Sequence, residues 1–248
     1  MFSDRREAGR RLATRLAALH LDDPIVLALP RGGVPVALEV ARALEAPFDL
    51  LIVRKIGAPG FPEVALGAVA DAADLPGGMT SDGEALDGAG RDGADAPTVV
   101  NLDVFRSTGS DARGLDAART RELAEIDRRR RRYRGDRPAL PVRGRVVIVV
   151  DDGVATGATA KAAVALLRRE GAAEIVLAVP VAPADQVAEM GEVADRFVVV
   201  KAPRVFWAIG EFYSDFHQLS DEETLALLAE AWGDGAEHPL GDRAHPGD

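Results

Sequence analysis

Val146-Val147-Ile148-Val149-Val150-Asp151-Asp152-Gly153-Val154-Ala155-Thr156-Gly157-Ala158-Thr159 is the stretch that decides the reading of this chain. Five β-branched residues in a row predict a central strand buried on both faces. That strand delivers Asp151 and Asp152 to its C-terminal edge, where open α/β sheets bind ligands. The turn that follows holds Gly153, Gly157 and the hydroxyls of Thr156 and Thr159, and opens directly into a helix. Backbone amides in such a turn, helped by the positive helix end, can cradle a phosphate. Two carboxylates beside an amide cradle call for a mixed ligand, with hydroxyls or a hydrated cation on the acids. A phosphorylated sugar with free vicinal hydroxyls and a bound Mg²⁺ meets both needs. A helix cap with solvated acids explains one acid and not the whole arrangement.

Outward from this stretch, the chain alternates strand and helix. Ile25 to Leu29 is a short apolar run ending at Pro30-Arg31-Gly32-Gly33, Val34 to Leu44 reads as a helix, and Leu50 to Val53 reads as a second strand ending at Arg54-Lys55. Further strands are predicted over 175–181 and 197–200, with helices over 158–169 and from Pro183. Residues 4–19 place Ala8, Leu12, Leu16 and Leu19 on one stripe, with Asp4 and Glu7 at capping-box spacing, so an N-terminal surface helix is predicted. A long charged helix is predicted over 113–134, ending in five consecutive arginines, Arg128 to Arg132, and then Arg134. Cations near a helix C-terminus complement its dipole, and a solvated face is one reading of the run; a face toward pyrophosphate or another subunit is the other. The pattern is a doubly wound α/β fold with a mostly parallel sheet and helices on both faces. One domain over 1–235 is expected, with a C-terminal hood and helix over 203–232 and a disordered tail over 236–248.

The 248-residue chain carries a net charge of −10 and has no cysteine. Thiolate metal sites, cysteine nucleophiles and a disulfide framework are excluded, in agreement with a reducing compartment. Counterion-release binding needs a basic face, so nucleic acid is not an expected partner. No apolar run approaches the ~20 residues that span a bilayer. The N-terminus also lacks the apolar stretch of a signal peptide, so a soluble, cytoplasmic protein is expected. Between Asp71 and Pro97, seven acids stand against Arg91 alone in a stretch rich in Gly and Ala. Such a stretch buries too little to offset its ordering entropy, and a flexible insertion over 71–97 is expected.

Competing phosphate motifs fail on their letters. A Walker A loop needs Gly-Lys-Ser/Thr, and Gly157 is followed by Ala158; the turn at Pro30 lacks Gly-x-Gly-x-x-Gly spacing; the acids at 151 and 152 are adjacent, not separated by one residue. Val147 to Thr159 instead resembles the signature of type I phosphoribosyltransferases, and Leu29-Pro30-Arg31-Gly32-Gly33 resembles that family's pyrophosphate loop, where an unusual, cis peptide is common. The resemblance implies that Asp151 and Asp152 bind the ribose hydroxyls of 5-phosphoribosyl-1-pyrophosphate (PRPP) and, through water, Mg²⁺. It implies that Ala155, Thr156, Gly157, Ala158 and Thr159 hold the 5-phosphate. Arg31, with Gly32 and Gly33, and Arg54 and Lys55 would then face the pyrophosphate. A flexible loop within 57–101 would close over the reacting centre, and a homodimer is expected by analogy.

The segment from Phe206 to Phe216 holds five aromatics in eleven positions. It reads as a packed edge, and it also resembles the base-covering hood of purine enzymes, with Trp207 stacking on the base and Ala208 offering backbone contacts. The 6-oxopurine enzymes carry an acid where Ala155 stands and a lysine after the next strand, where Val179 to Ala182 has none; hypoxanthine and guanine are therefore poor candidates. His217 is the nearest candidate base. The reaction implied is displacement of pyrophosphate by a nitrogen nucleophile on a small-molecule acceptor. The rivals are a PRPP-binding regulatory module without turnover and another phosphosugar transferase or hydrolase on the same fold.

Overall fold

The structure, a computed structural model, describes residues 1–58, 61–70, 98–100 and 112–233. The expected insertion over 71–97 and the tail over 236–248 lie outside the described residues. Strand β1 (Ile25–Ala28) leads to helix α2 (Gly33–Leu44) and strand β2 (Phe48–Leu50), after helix α1 (Arg5–Ala17). The second half runs β6 (Val146–Val150), α4 (Ala158–Arg169), β7 (Glu174–Val181), α5 (Ala184–Val193) and β8 (Arg196–Lys201). These strands form one sheet in the order β2-β1-β6-β7-β8, and each neighbouring pair is parallel.

Alternation along the strands divides the core in two. Val26, Ala28, Ile148, Val150, Val176 and Ala178 face α1, α2, helix α3 (Ala112–Tyr133) and helix α6 (Asp221–Trp232). Ile25, Leu27, Val147, Val149, Ile175, Leu177 and Val179 face α4 and α5. With both faces covered, every strand residue of β6 except Val146 is buried, which is why the run is continuously β-branched rather than alternating. Each fully buried Leu, Ile or Val contributes about 1.5–3 kcal/mol. The expected doubly wound α/β sheet is what forms.

The second strand is corrected. The run from Leu50 to Val53 is not one strand: β2 stops at Leu50, and a separate antiparallel sheet begins with β3 (Val53–Ala58), β4 (Phe61–Ala70) and β5 (Thr98–Val100). The Leu51 amide donates to Ala28 O in the last bond toward β1. Leu51 and Ile52 then bridge the two sheets fully buried. Apolar residues continue across the break, so hydrophobicity alone could not reveal it. Arg54 and Lys55 consequently begin a hairpin strand instead of ending a strand of the parallel sheet. Ordered strands also occupy part of the 57–101 region read as a loop.

Helix α1 carries the expected cap: Asp4 accepts from the Glu7 amide at 2.7 Å. The Glu7 carboxylate reaches back to the Ser3 amide, one residue before the cap, at 2.6 Å. Its stripe of Ala8, Leu12 and Leu16 is buried, and so is Arg5 on the same face.

Candidate functional site

The C-terminal edge of β6 lies between β1 and β7, so the turn after β1 and the turn after β6 meet. The Leu29 amide donates to Val150 O at 2.9 Å, and the Pro30–Arg31 peptide is cis. At Gly33 a Cβ would stand 2.5 Å from Val150 O, and at Gly32 one would stand 2.2 Å from Asp152 Oδ2. Only glycine allows this approach, and it seats the start of α2 directly on the acids.

In the second turn Gly153 and Val154 are buried, and the Val154 amide is tied to Val181 O at 2.9 Å. Ala155, Thr156 and Thr159 are exposed, and Ala158 is half-buried. Gly157 has φ +72°, the left-handed region that favours glycine, and caps α4 without a side-chain hydrogen bond. The first turn of α4 therefore presents its amides and its positive end next to two hydroxyl side chains, an arrangement suited to a phosphate.

All three polar groups of residue 152 are engaged. Its carboxylate accepts from Arg5 Nε at 2.8 Å, its carbonyl accepts from the Tyr213 hydroxyl at 2.6 Å, and its amide donates to Asp151 Oδ1 at 2.8 Å. Arg5 Nη1 donates to His217 O at 3.0 Å, and the guanidinium lies 3.9 Å from the Phe216 ring centre. Burial raises Asp151 well above the ordinary carboxylate range, and the charge of Asp152 raises it further. Burial also raises Asp152, against the opposing pull of Arg5. The interior therefore resists a second negative charge beside the one that Arg5 pairs with.

Arg31 is brought to the same edge, with its guanidinium 3.4 Å from Asp221 at the start of α6. Asp221 also accepts from the Tyr133 hydroxyl at 2.5 Å and from Arg132 Nε at 3.1 Å, with Arg128 at 3.6 Å. The Tyr133 contact, then the three arginines, hold Asp221 below the usual carboxylate range. Burial, then the Asp221 contact, push the Tyr133 hydroxyl up to about 12. The arginine run is laced to Glu125, Asp127, Asp221 and Glu222, as a solvated charged face would be.

Arg54 and Lys55 stand apart from these turns in sequence and sheet. Their strand packs on α3 and α4, and Arg54 Nε is paired with Glu122 at 2.8 Å. In the hood, Phe206 stacks with Phe212 and Tyr213 with Phe216, while Phe2 lies 5.3 Å from Tyr213. Trp207 takes no part in this packing at 82% exposure, and Ala208 beside it is exposed. His217, the nearest candidate base, stands between two acids: its ring nitrogens meet Asp215 at 2.8 Å and Glu223 at 3.0 Å, and these contacts raise its pKa. Among the described residues no group of three or more His, Cys, Asp or Glu gathers as a metal cage.

A family model described as a phosphoribosyl transferase domain matches residues 4–217. The chain belongs to the phosphoribosyl transferase family. Two Mycobacterium tuberculosis proteins named as phosphoribosyl transferases, Rv0571c and MT0597, are each 45% identical to it over 237 residues, covering 96% of this chain and 48% of theirs. The chain thus spans about half the length of the curated relatives it matches. The crystal structure of TT1426 from Thermus thermophilus superposes with a TM-score of 0.76 at 40% identity, covering 93% of this chain and 98% of that one.

Within this phosphoribosyl transferase domain the sequence reading overlooked Arg5, Tyr213 and Asp221. Arg5 did leave a signal. It occupies the stripe of Ala8, Leu12 and Leu16, and a cation on an apolar stripe requires a buried acid. Tyr213 and Asp221 lie 61 and 190 residues from their partners, and no local pattern records such pairings. Among the described residues no helix is long and apolar enough to cross a membrane.

Proposed function

We propose that this domain transfers a phosphoribosyl group from PRPP to a nitrogen of a small-molecule acceptor, with Mg²⁺ as cofactor. One observation carries the reading. The two acids at the end of β6 are packed against the glycines of the Arg31 turn on one side and continue into the open amide end of α4 on the other. This edge offers groups suited to a diphosphate, to ribose hydroxyls with a cation, and to a terminal phosphate.

The donor set fits a shared Mg²⁺ rather than a protein cage. Asp151 and Asp152 would hold the ion through its water shell, with Arg5 paired to Asp152 beside them. When bound there, Mg²⁺ would supply charge neutralisation for a diphosphate leaving group. The chain's own groups do the rest. Thr156, Thr159 and the amides from Ala155 to Thr159 hold the 5-phosphate, and the acids orient the ribose. Arg31 leaves Asp221 to meet the diphosphate. The C1–O bond then breaks with its electron pair on the diphosphate while the acceptor nitrogen forms the C1–N bond. Arg54 and Lys55 serve this step only if their hairpin closes toward the β6 edge.

Trp207 gives the acceptor an exposed aromatic face, and the residues at 155 and 179–182 point away from 6-oxopurines. Base stacking contributes ~1–3 kcal/mol per aromatic. Trp207→Ala is accordingly expected to raise the acceptor KM by roughly 5–100-fold, with PRPP affinity unchanged. Equal acceptor KM values for the two proteins would remove Trp207 from the acceptor site. The reading as a whole is tested with labelled PRPP, Mg²⁺ and a panel of nitrogenous bases. Base-dependent pyrophosphate release supports transfer; tight PRPP binding without release on any base indicates a regulatory module; no Mg²⁺-dependent binding ends the reading.

A further inference from the structure

Arg5 is an anomaly on α1. The other buried members of its stripe are apolar, and a buried ion pair is on average no more stabilising than apolar residues of the same volume. Stability therefore does not account for placing an arginine there. Its contacts do. One guanidinium reaches the Asp152 carboxylate, the His217 carbonyl and the Phe216 ring. Arg5 and Asp152 are only 9% and 8% exposed, so their ion pair is held largely out of water.

The consequence spreads through residue 152. Its carboxylate is confined between Arg5 and the Gly32 backbone, its carbonyl is held by Tyr213, and its amide points at Asp151. Whatever orients residue 152 also orients the neighbouring acid. Tyr213 and the Arg5 partners at 216 and 217 all belong to the segment after β8, whereas Arg5 belongs to the first helix. The first helix and the hood thus clamp the acids together. The Phe2 amide donates to Phe212 O at 2.7 Å and the Ser214 amide to Phe2 O at 2.7 Å, which fixes the chain start to the same segment.

We infer that Arg5 is a positioning residue of the PRPP site: through Asp152 it sets the orientation of both acids toward the ribose and its cation, and couples that orientation to the hood. The inference rests on the proposed PRPP reading and adds a residue on which the sequence signature is silent. Lysine keeps the charge but offers one ammonium in place of a planar fork, so it cannot make the Asp152, His217 and Phe216 contacts at once. Glutamine removes the charge.

The test uses the 248-residue chain and its Arg5→Gln and Arg5→Lys variants, with two probes followed by calorimetry: PRPP over a range of Mg²⁺ concentrations, and inorganic pyrophosphate. Arg5→Gln is expected to raise the PRPP Kd and the Mg²⁺ concentration for half-saturation by roughly 10–100-fold, the usual effect of deleting a partner behind a metal-binding group. Arg5→Lys should recover part of that loss. Pyrophosphate addresses the Arg31 turn, which touches Asp152 only through the Gly32 backbone, so its Kd should rise much less than that of PRPP. Unchanged PRPP affinity in both variants would overturn the inference, and so would equal weakening of PRPP and pyrophosphate, which marks general damage. If Arg5→Gln fails to melt cooperatively, Arg5→Lys decides: a raised Mg²⁺ half-saturation supports the inference and an unaltered one overturns it. Absence of Mg²⁺-dependent PRPP binding in the wild type would defeat the underlying reading, a result distinct from all of these.

Discussion

Asp151→Asn is expected to melt at a higher temperature than the wild type in metal-free buffer, and to gain far less stability from Mg²⁺ and PRPP. Both effects follow from one geometry. Burial and the neighbouring Asp152 make the ionised form of Asp151 unfavourable, so ionising it in the ligand-free protein costs stability. Asparagine keeps an oxygen for the Asp152 amide and removes the charge. Every kcal/mol so relieved raises Tm by about 2–4 °C in a domain of this size. The sign with pH is definite. A carboxyl raised above 3.8 in the folded state contributes stability that is complete below the unfolded value and is lost as pH rises through the folded value. The wild type in chelator should therefore lose stability over that interval, and the asparagine variant should lose less. Ligand affinity moves the opposite way. Without its charge the site should bind Mg²⁺ and PRPP roughly 10²–10³-fold more weakly, the scale of losing one preorganised electrostatic contact. Melting curves in chelator and with Mg²⁺ plus PRPP check both halves. A full ligand-induced shift in the variant would remove Asp151 from the site.

The legible parts of this molecule were those written in consecutive letters. Val146 to Val150 can only be a doubly buried strand, and Gly157 with Thr156 and Thr159 can only open a helix there. The order of apolar runs therefore gave the parallel sheet. Arg31-Gly32-Gly33 was legible because glycine has a steric meaning at a close approach, which the 2.2 Å and 2.5 Å virtual contacts make explicit. The break at Leu51 was not legible: both sheets bury apolar residues, so nothing in composition changes where the chain passes from one to the other. Arg54 and Lys55 were misplaced for that reason alone. Arg5 was half legible, as a charge on an apolar stripe, but its partner is 147 residues away.

Arg134 shows the same limit and supports the largest expected effect on stability. The five arginines before it are solvated or paired at the surface, and by composition the sixth belongs with them. Instead its side chain is 1% exposed and meets Asp49, itself 2% exposed, at 3.0 Å. Arg134 Nη2 also donates to Leu50 O at 2.7 Å, while Asp49 accepts from the Leu50 amide at 2.7 Å and the Leu140 amide at 2.9 Å. This cluster holds the end of β2, where the chain leaves the parallel sheet for the hairpin, against the segment after α3. Arg134→Met should cost about 3–5 kcal/mol, since Asp49 is left buried without its counter-ion. That corresponds to a fall in Tm of roughly 6–20 °C. Removing both charges with Asp49→Leu should recover only part of the loss, because the amides of Leu50 and Leu140 then lack acceptors at about 1–3 kcal/mol each. Denaturant unfolding of the two variants measures this directly, and a loss below about 1 kcal/mol in Arg134→Met would show that the pair is not the clasp between the sheets. No group of the β6 edge is touched, so the stabilisation that Mg²⁺ and PRPP confer on the wild type should persist in Arg134→Met at its lower starting temperature.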